Sequence, residues 1–165
     1  MAAPQRTDRL SEAELTAAVE AGTDQLLLRV SAAFGAQQGW ASQLRAVAYE
    51  LLDFLREDEA RARRMVIEAA QAGEGPRQIR ERGMEALTEL IDLGRRELED
   101  PASLPRSVAV IAAGTIYNRI HVRVERGVET LDAELVRELM FSAVLPYLGI
   151  EPALAELEMR RPDAL

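Results

Sequence analysis

Leu10-Ser11-Glu12-Ala13-Glu14-Leu15 carries a complete helix start, and the run that follows it decides the fold class. Ser11 is placed as an N-cap and Glu14 as its capping-box partner three residues on, with Leu10 and Leu15 positioned as a hydrophobic staple. From there Leu15, Val19, Gly22, Leu26, Val30 and Ala33 recur at spacings of three and four, one face of a long helix that ends between Gly35 and Gly39.

The same periodicity repeats outward along the chain. A second helix begins near Trp40, with Leu44, Val47, Ala48, Leu51 and Leu55 on its buried face and Tyr49 and Phe54 broadening it. A third, from Glu57 to Ala72, carries Ala62, Met65, Val66 and Ala69. Gly73-Glu74-Gly75-Pro76 is a break, and a fourth helix over about Arg77 to Glu99 sets Ile79, Gly83, Ala86, Leu87, Leu90 and Gly94 on one stripe. Asp100 to Pro105 is a loop.

The fifth helix, Arg106 to about Arg126, is apolar on every side as far as Tyr117, which predicts burial all round, including by a partner. Thr130 is placed to cap a sixth helix bearing Leu131, Leu135, Leu139, Met140, Ala143 and Val144, closed by Pro146 and Gly149. Pro152 opens a short last helix. No segment alternates with the period of a strand, and no internal repeat is present. The expected architecture is therefore an all-α bundle of about seven helices in one domain, residues 10–159, between a disordered tail at 1–9 and a second tail at 160–165.

Composition narrows the function. The chain has 165 residues, enough to bury a sizeable core in one domain. It has no cysteine, so disulfides, thiolate metal sites and cysteine nucleophiles are excluded. A di-iron bundle needs two Glu-x-x-His motifs, and the single histidine, His121, has Asn118 three residues before it. No glycine-rich phosphate loop follows a strand. No metal, cofactor or catalytic residue is expected.

The N-terminus lacks an apolar signal segment. The most apolar run, Val108 to Tyr117, is about half the length a bilayer requires, so cytoplasm is the expected location and no membrane association is expected. The net charge is −8, and all twenty basic residues are arginine. The groups Arg61-Arg63-Arg64, Arg77-Arg80-Arg82 and Arg119-Arg123-Arg126 are interleaved with or flanked by acids and read as solvated helix faces.

Four stretches resemble the C-terminal domain of TetR-type regulators. Ala21-Gly22-Thr23-Asp24-Gln25-Leu26-Leu27-Leu28-Arg29-Val30 looks like that family's long connecting helix. Gly39-Trp40-Ala41-Ser42-Gln43-Leu44-Arg45-Ala46, with Leu51-Leu52-Asp53-Phe54-Leu55, is similar to the next helix. Ala113-Gly114-Thr115-Ile116-Tyr117 resembles the start of the first dimerisation helix, and Leu145-Pro146-Tyr147-Leu148-Gly149 the closing motif. The order and spacing of all four, from about Ala18 to Leu157, carry the likeness.

The resemblance implies a regulatory domain that binds a small apolar or aromatic ligand without chemistry, in a pocket enclosed by helices one to five. It also implies a two-fold homodimer through helices five and six. The ligand-facing candidates are Tyr49, Met65, Glu68, Met84, Leu87, Ile91, Tyr117 and His121; those for the dimer interface are Val110, Gly114, Asn118, Val136, Met140 and Val144.

Several of these residues admit a second reading. His121 with Tyr117 and Asn118 forms either a ligand-facing polar set or a solvated patch near a helix end. Glu68 is either a polar anchor in an apolar pocket or the partner of Arg64 one turn earlier. Met65, Met84 and Tyr49 suit a permissive pocket or an ordinary core. Gly83 and Gly94 cost their helix about 0.5–1 kcal/mol each against alanine, which calls for either free space or a close helix contact.

The family's three-helix DNA-reading unit has no counterpart ahead of Leu15. The segment through Val30 sets Arg6, Arg9 and Arg29 against Asp8, Glu12, Glu14, Glu20 and Asp24. The chain alone is therefore expected not to bind DNA. The alternatives to a sensor are a naturally headless relative that acts by heterodimerising with a full-length repressor, or a fragment of a complete one.

Overall fold

Helix α1 spans Glu12–Gly35 and starts on a formed capping box: the Glu14 amide donates to the Ser11 hydroxyl, and the Ser11 amide donates to the Glu14 carboxylate at 2.8 Å. Hydrogen bonds from the Ser11 hydroxyl and amide hold the Glu14 carboxyl below its ordinary range. The computed structural model describes residues 10–161; the tail at 1–9, and 162–165 of the C-terminal one, lie outside the described residues. Within them the chain is all-helical, without a strand, and no helix is long and apolar enough to cross a membrane.

Helix α2 is Trp40–Glu57, and α3 covers 59–71, capped by the Asp58 carboxylate accepting from the Arg61 amide. The middle of α3, Arg64–Glu68, is a π turn. Helix α4 is Glu74–Asp92, continued by a 3₁₀ turn at Leu93–Glu97. Helices α5, Ser107–Arg126, and α6, Ala133–Leu148, lead to the short α7, Ile150–Glu156. The main core joins α2, α5 and α6 around Phe54, Leu55, Ile116, Leu135 and Val144, and a smaller cluster of Leu15, Val19, Ala69 and Ile79 ties α1 to α3 and α4.

The α-helical part of α4 stops at Asp92 rather than near Glu99, and the cause is tertiary. The Trp40 indole N–H donates to the Leu90 carbonyl at 2.9 Å, and its ring lies flat over Gly94, where a Cβ would stand 2.5 Å from it. The Tyr147 ring meets Trp40 edge-on at 5.1 Å, so one side chain fastens α2, α4 and α6 together. Burial raises the Tyr147 hydroxyl above its ordinary pKa. Beyond this point the Arg95 guanidinium pairs with Asp92 and donates to the carbonyls of Pro101 and Leu104, which fixes the loop into α5.

Thr130 does not cap α6: its hydroxyl donates to the carbonyls of Arg123 and Gly127, closing α5, and Asp132 caps α6 by accepting from the Leu135 amide. Within the protomer helix α5 is buried on one face, through Ala109, Ala112, Ala113, Ile116, Ile120 and Val124, and the rest of the all-round burial expected of it would fall to a partner. The tail read from residue 160 is not free at its start, because Arg161 pairs with Asp53 and lies over the Tyr49 ring. Helix α7 is anchored more deeply: Glu156 accepts two hydrogen bonds from Arg45 of α2, at 2.6 and 2.9 Å, with both side chains buried.

Gly94→Ala should lower stability by about 1–3 kcal/mol, because the added methyl overlaps the Trp40 ring and one of the two must move. Trp40 is the chain's single tryptophan, so its emission during a denaturant titration reads the change directly. An unchanged midpoint and spectrum would show that this contact is loose.

Candidate functional site

Five helices leave a cavity of about 130 Å³ between them. Helix α1 contributes Thr23, Leu26 and Val30, and α2 contributes Val47, Leu51 and Leu55. The π turn of α3 brings Met65 and Val66, α4 brings Arg80, Gly83, Met84, Leu87 and Leu90, and α5 brings Tyr117 and Ile120. The periodicity explains the supply. Leu26 and Val30 are one turn apart on α1, as are Leu51 and Leu55 on α2, while Arg80, Gly83, Met84 and Leu87 fall at i, i+3, i+4 and i+7 along one face of α4.

Two polar devices frame this apolar space. The Tyr117 hydroxyl donates to the Val66 carbonyl at 2.6 Å, across from α5 to α3. A π turn takes backbone carbonyls out of the usual i→i−4 ladder, and here one of them receives a side chain. On Tyr117 itself lies the Arg80 guanidinium, 5.3 Å from the ring centre. Arg80 Nε is buried and has no hydrogen-bond partner among the described residues.

The structure gathers part of the candidate ligand set. Met65, Met84, Leu87 and Tyr117 stand on the cavity wall. The others stand elsewhere. Tyr49 is buried under Arg161 at a separate depression between α2 and the start of α6. Ile91 is fully buried in the main core, one turn beyond Leu87 and off the cavity wall. Glu68 faces solvent, because the π turn directs Val66 and Ile67 inward and leaves the carboxylate outside. His121 stacks on Tyr117 with ring centres 6.1 Å apart but stays off the wall; its Nε2 lies 3.8 Å from the Glu125 carboxylate.

The interface candidates divide in the same way. Val110, Gly114 and Asn118 are exposed on the outer face of α5, whereas Val136, Met140 and Val144 are fully buried inside the protomer because α6 turns that stripe onto the core. On α5 and α6 the exposed large apolar residues are Val110, Ile111, Val122 and Leu145.

Thr23 and Arg80, polar members of the wall, are not among the ligand candidates that the sequence offers. Thr23 was read only as part of a connecting helix. Arg80 was grouped with Arg77 and Arg82 as a solvated patch, although its spacing to Gly83, Met84 and Leu87 marks it for their face. Among the described residues no group of three or more His, Asp or Glu side chains is arranged to hold a metal ion. Comparison of the chain with family models, with curated proteins and with solved structures finds no match.

Gly83 is open toward the cavity: a Cβ there would meet only the Thr23 methyl, at 3.9 Å, an ordinary contact. Gly83→Ala should therefore raise stability by about 0.5–1 kcal/mol through helix preference while narrowing the cavity. A lowered melting temperature would mean that the wall has no room at this point.

Proposed function

We propose that this chain is a small-molecule-sensing, dimer-forming domain of the TetR type, holding one small, mainly apolar or aromatic molecule reversibly and without chemistry. The observation that carries the reading is the cavity of about 130 Å³, apolar except where Thr23, Arg80 and Tyr117 meet it. An apolar cavity of about 150 Å³ stays dry and accepts a benzene-sized guest, so the space suits a compact ligand. Its walls come from five helices, two of them bearing adaptable methionines, Met65 and Met84. Helix α1 is both a wall and the counterpart of the connecting helix of TetR-type regulators. A ligand that favours one position of α1 against α4 would act along it.

A thermal-shift screen of small aromatic and aliphatic compounds tests this reading. A ligand present at a hundred times its dissociation constant should stabilise the protein by about 2.7 kcal/mol. Met84→Trp should abolish the shift by filling the cavity. The absence of any stabilising compound, with Met84→Trp as stable as the parent, would argue for a passive packing void.

The second copy belongs on the outer face of α5. No charged residue occurs from Ser107 to Asn118, yet Val110 and Ile111 are 52% and 68% exposed. A Cβ at Gly114 would touch nothing within 4 Å, so a partner helix can come close there. A two-fold pairing covers such a face with itself and should bury about 2,000 Å² or more. Light scattering at micromolar concentration should give a dimer mass, and Ile111→Arg a monomer; a monomeric parent protein would remove the dimer from the proposal.

A further inference from the structure

Arg80 is out of place in an otherwise apolar wall, and no acid among the described residues pairs with it. Its neighbours on α4 are occupied: Arg82 pairs with Asp24 of α1 at 2.6 Å, and Arg77 lies 3.8 Å from Glu81. In a chain with eight more acids than bases, carboxylates are plentiful, yet what lies against the Arg80 guanidinium is the Tyr117 ring. Its buried Nε keeps an unused donor. A partly buried cation with an unmet donor is costly unless something supplies an acceptor.

We propose that the ligand of this cavity is an organic acid. Its apolar body is the size of about one aromatic ring or a chain of about six carbons, as the volume allows, and its carboxylate pairs with Arg80. The inference rests on the reading of the cavity as a ligand site and adds the charge of the ligand to it. Tyr117 supports the guanidinium over its ring at 5.3 Å, and no acid among the described residues takes up its N–H groups, which suit a carboxylate. The Tyr117 hydroxyl is itself tied to the Val66 carbonyl, so this support is fixed before any ligand arrives. Met84 and Leu87, one and two turns further along α4, then face the apolar body.

The test compares acids with alcohols of matching shape: 3-phenylpropionate against 3-phenylpropanol, and hexanoate against hexanol, titrated calorimetrically into the wild type, Arg80→Gln and Arg80→Lys. The wild type should bind the acids at least tenfold more tightly than the alcohols. Arg80→Gln should remove that preference while leaving alcohol binding within about twofold. Arg80→Lys, which keeps the charge but loses the planar fork, should retain part of the preference. Equal binding of acid and alcohol to the wild type would overturn this inference and leave the sensor reading standing. Binding of neither would overturn both. Should Arg80→Gln fail to fold, the wild-type comparison decides alone.

Discussion

Helix α4 is held tightly at both ends and loosely in its middle, and the cavity follows from that arrangement. At its C-terminal end Trp40 presses on Gly94 and takes up the Leu90 carbonyl. At its N-terminal end Gly75 lets the backbone approach α1 so closely that a Cβ would stand 2.8 Å from the Thr16 hydroxyl. Between these points Gly83 faces Thr23 with room to spare, and the half-buried Met84, Leu87 and Leu90 pack on the core from the far side of the space. Close-packed interiors keep few voids larger than a water molecule. A space of this size persists because the two end contacts set the separation of the helices before the side chains between them can close it.

The exclusive use of arginine suits this architecture. A planar guanidinium can stack on an aromatic ring and still present donors at its edge, which an ammonium does less well. Arg61 lies 3.8 Å from the centre of the Phe54 ring while donating to the Phe54 carbonyl. Arg95 bridges two loop carbonyls and Asp92 at once. Arg45 meets Glu156 with two parallel bonds in a buried setting, where removal of either partner would strand the other's charge. Arg29 spans Glu50 and Glu57, which raises its own pKa and, through the bonds it donates, lowers that of Glu57. Against this background Arg80, over an aromatic ring but without an acid among the described residues, stands out as the same device with one half missing.

Local signals were legible in the sequence and long-range ones were not. The capping box at Ser11 and the closure of α6 near Gly149 depend on residues within one turn of each other, so spacing alone identifies them, whereas α4 starts at Glu74, inside the break expected at Gly73 to Pro76. The early end of α4 depends on Trp40, about fifty residues away in sequence. Thr130 has the side chain of a cap, but which helix it closes depends on where α5 stops. Periodicity showed that Val136, Met140 and Val144 share a stripe, but a stripe does not name its partner, and here the core takes it. Glu68 interrupts an apolar run, which offers it as a pocket anchor, but a run does not say which way one side chain faces, and here the carboxylate faces solvent.

Helix α5 connects the two halves of the proposed function. Its inner side brings Tyr117 and Ile120 to the cavity, and its outer side carries Val110, Ile111 and Gly114. The alanines at 109, 112 and 113 are almost fully buried, so the helix sits close against its neighbours with little slack. A rigid element in such tight packing moves as a body or not at all. An occupant that pushes on Tyr117 would therefore displace the outer face as well, whereas one that merely fills space without contacting α5 would not. Ligand and partner are coupled only to the extent that the ligand distinguishes two positions of this helix. Tyr117 is the residue through which it could do so, because its hydroxyl ties α5 to α3 and its ring supports Arg80 from α4.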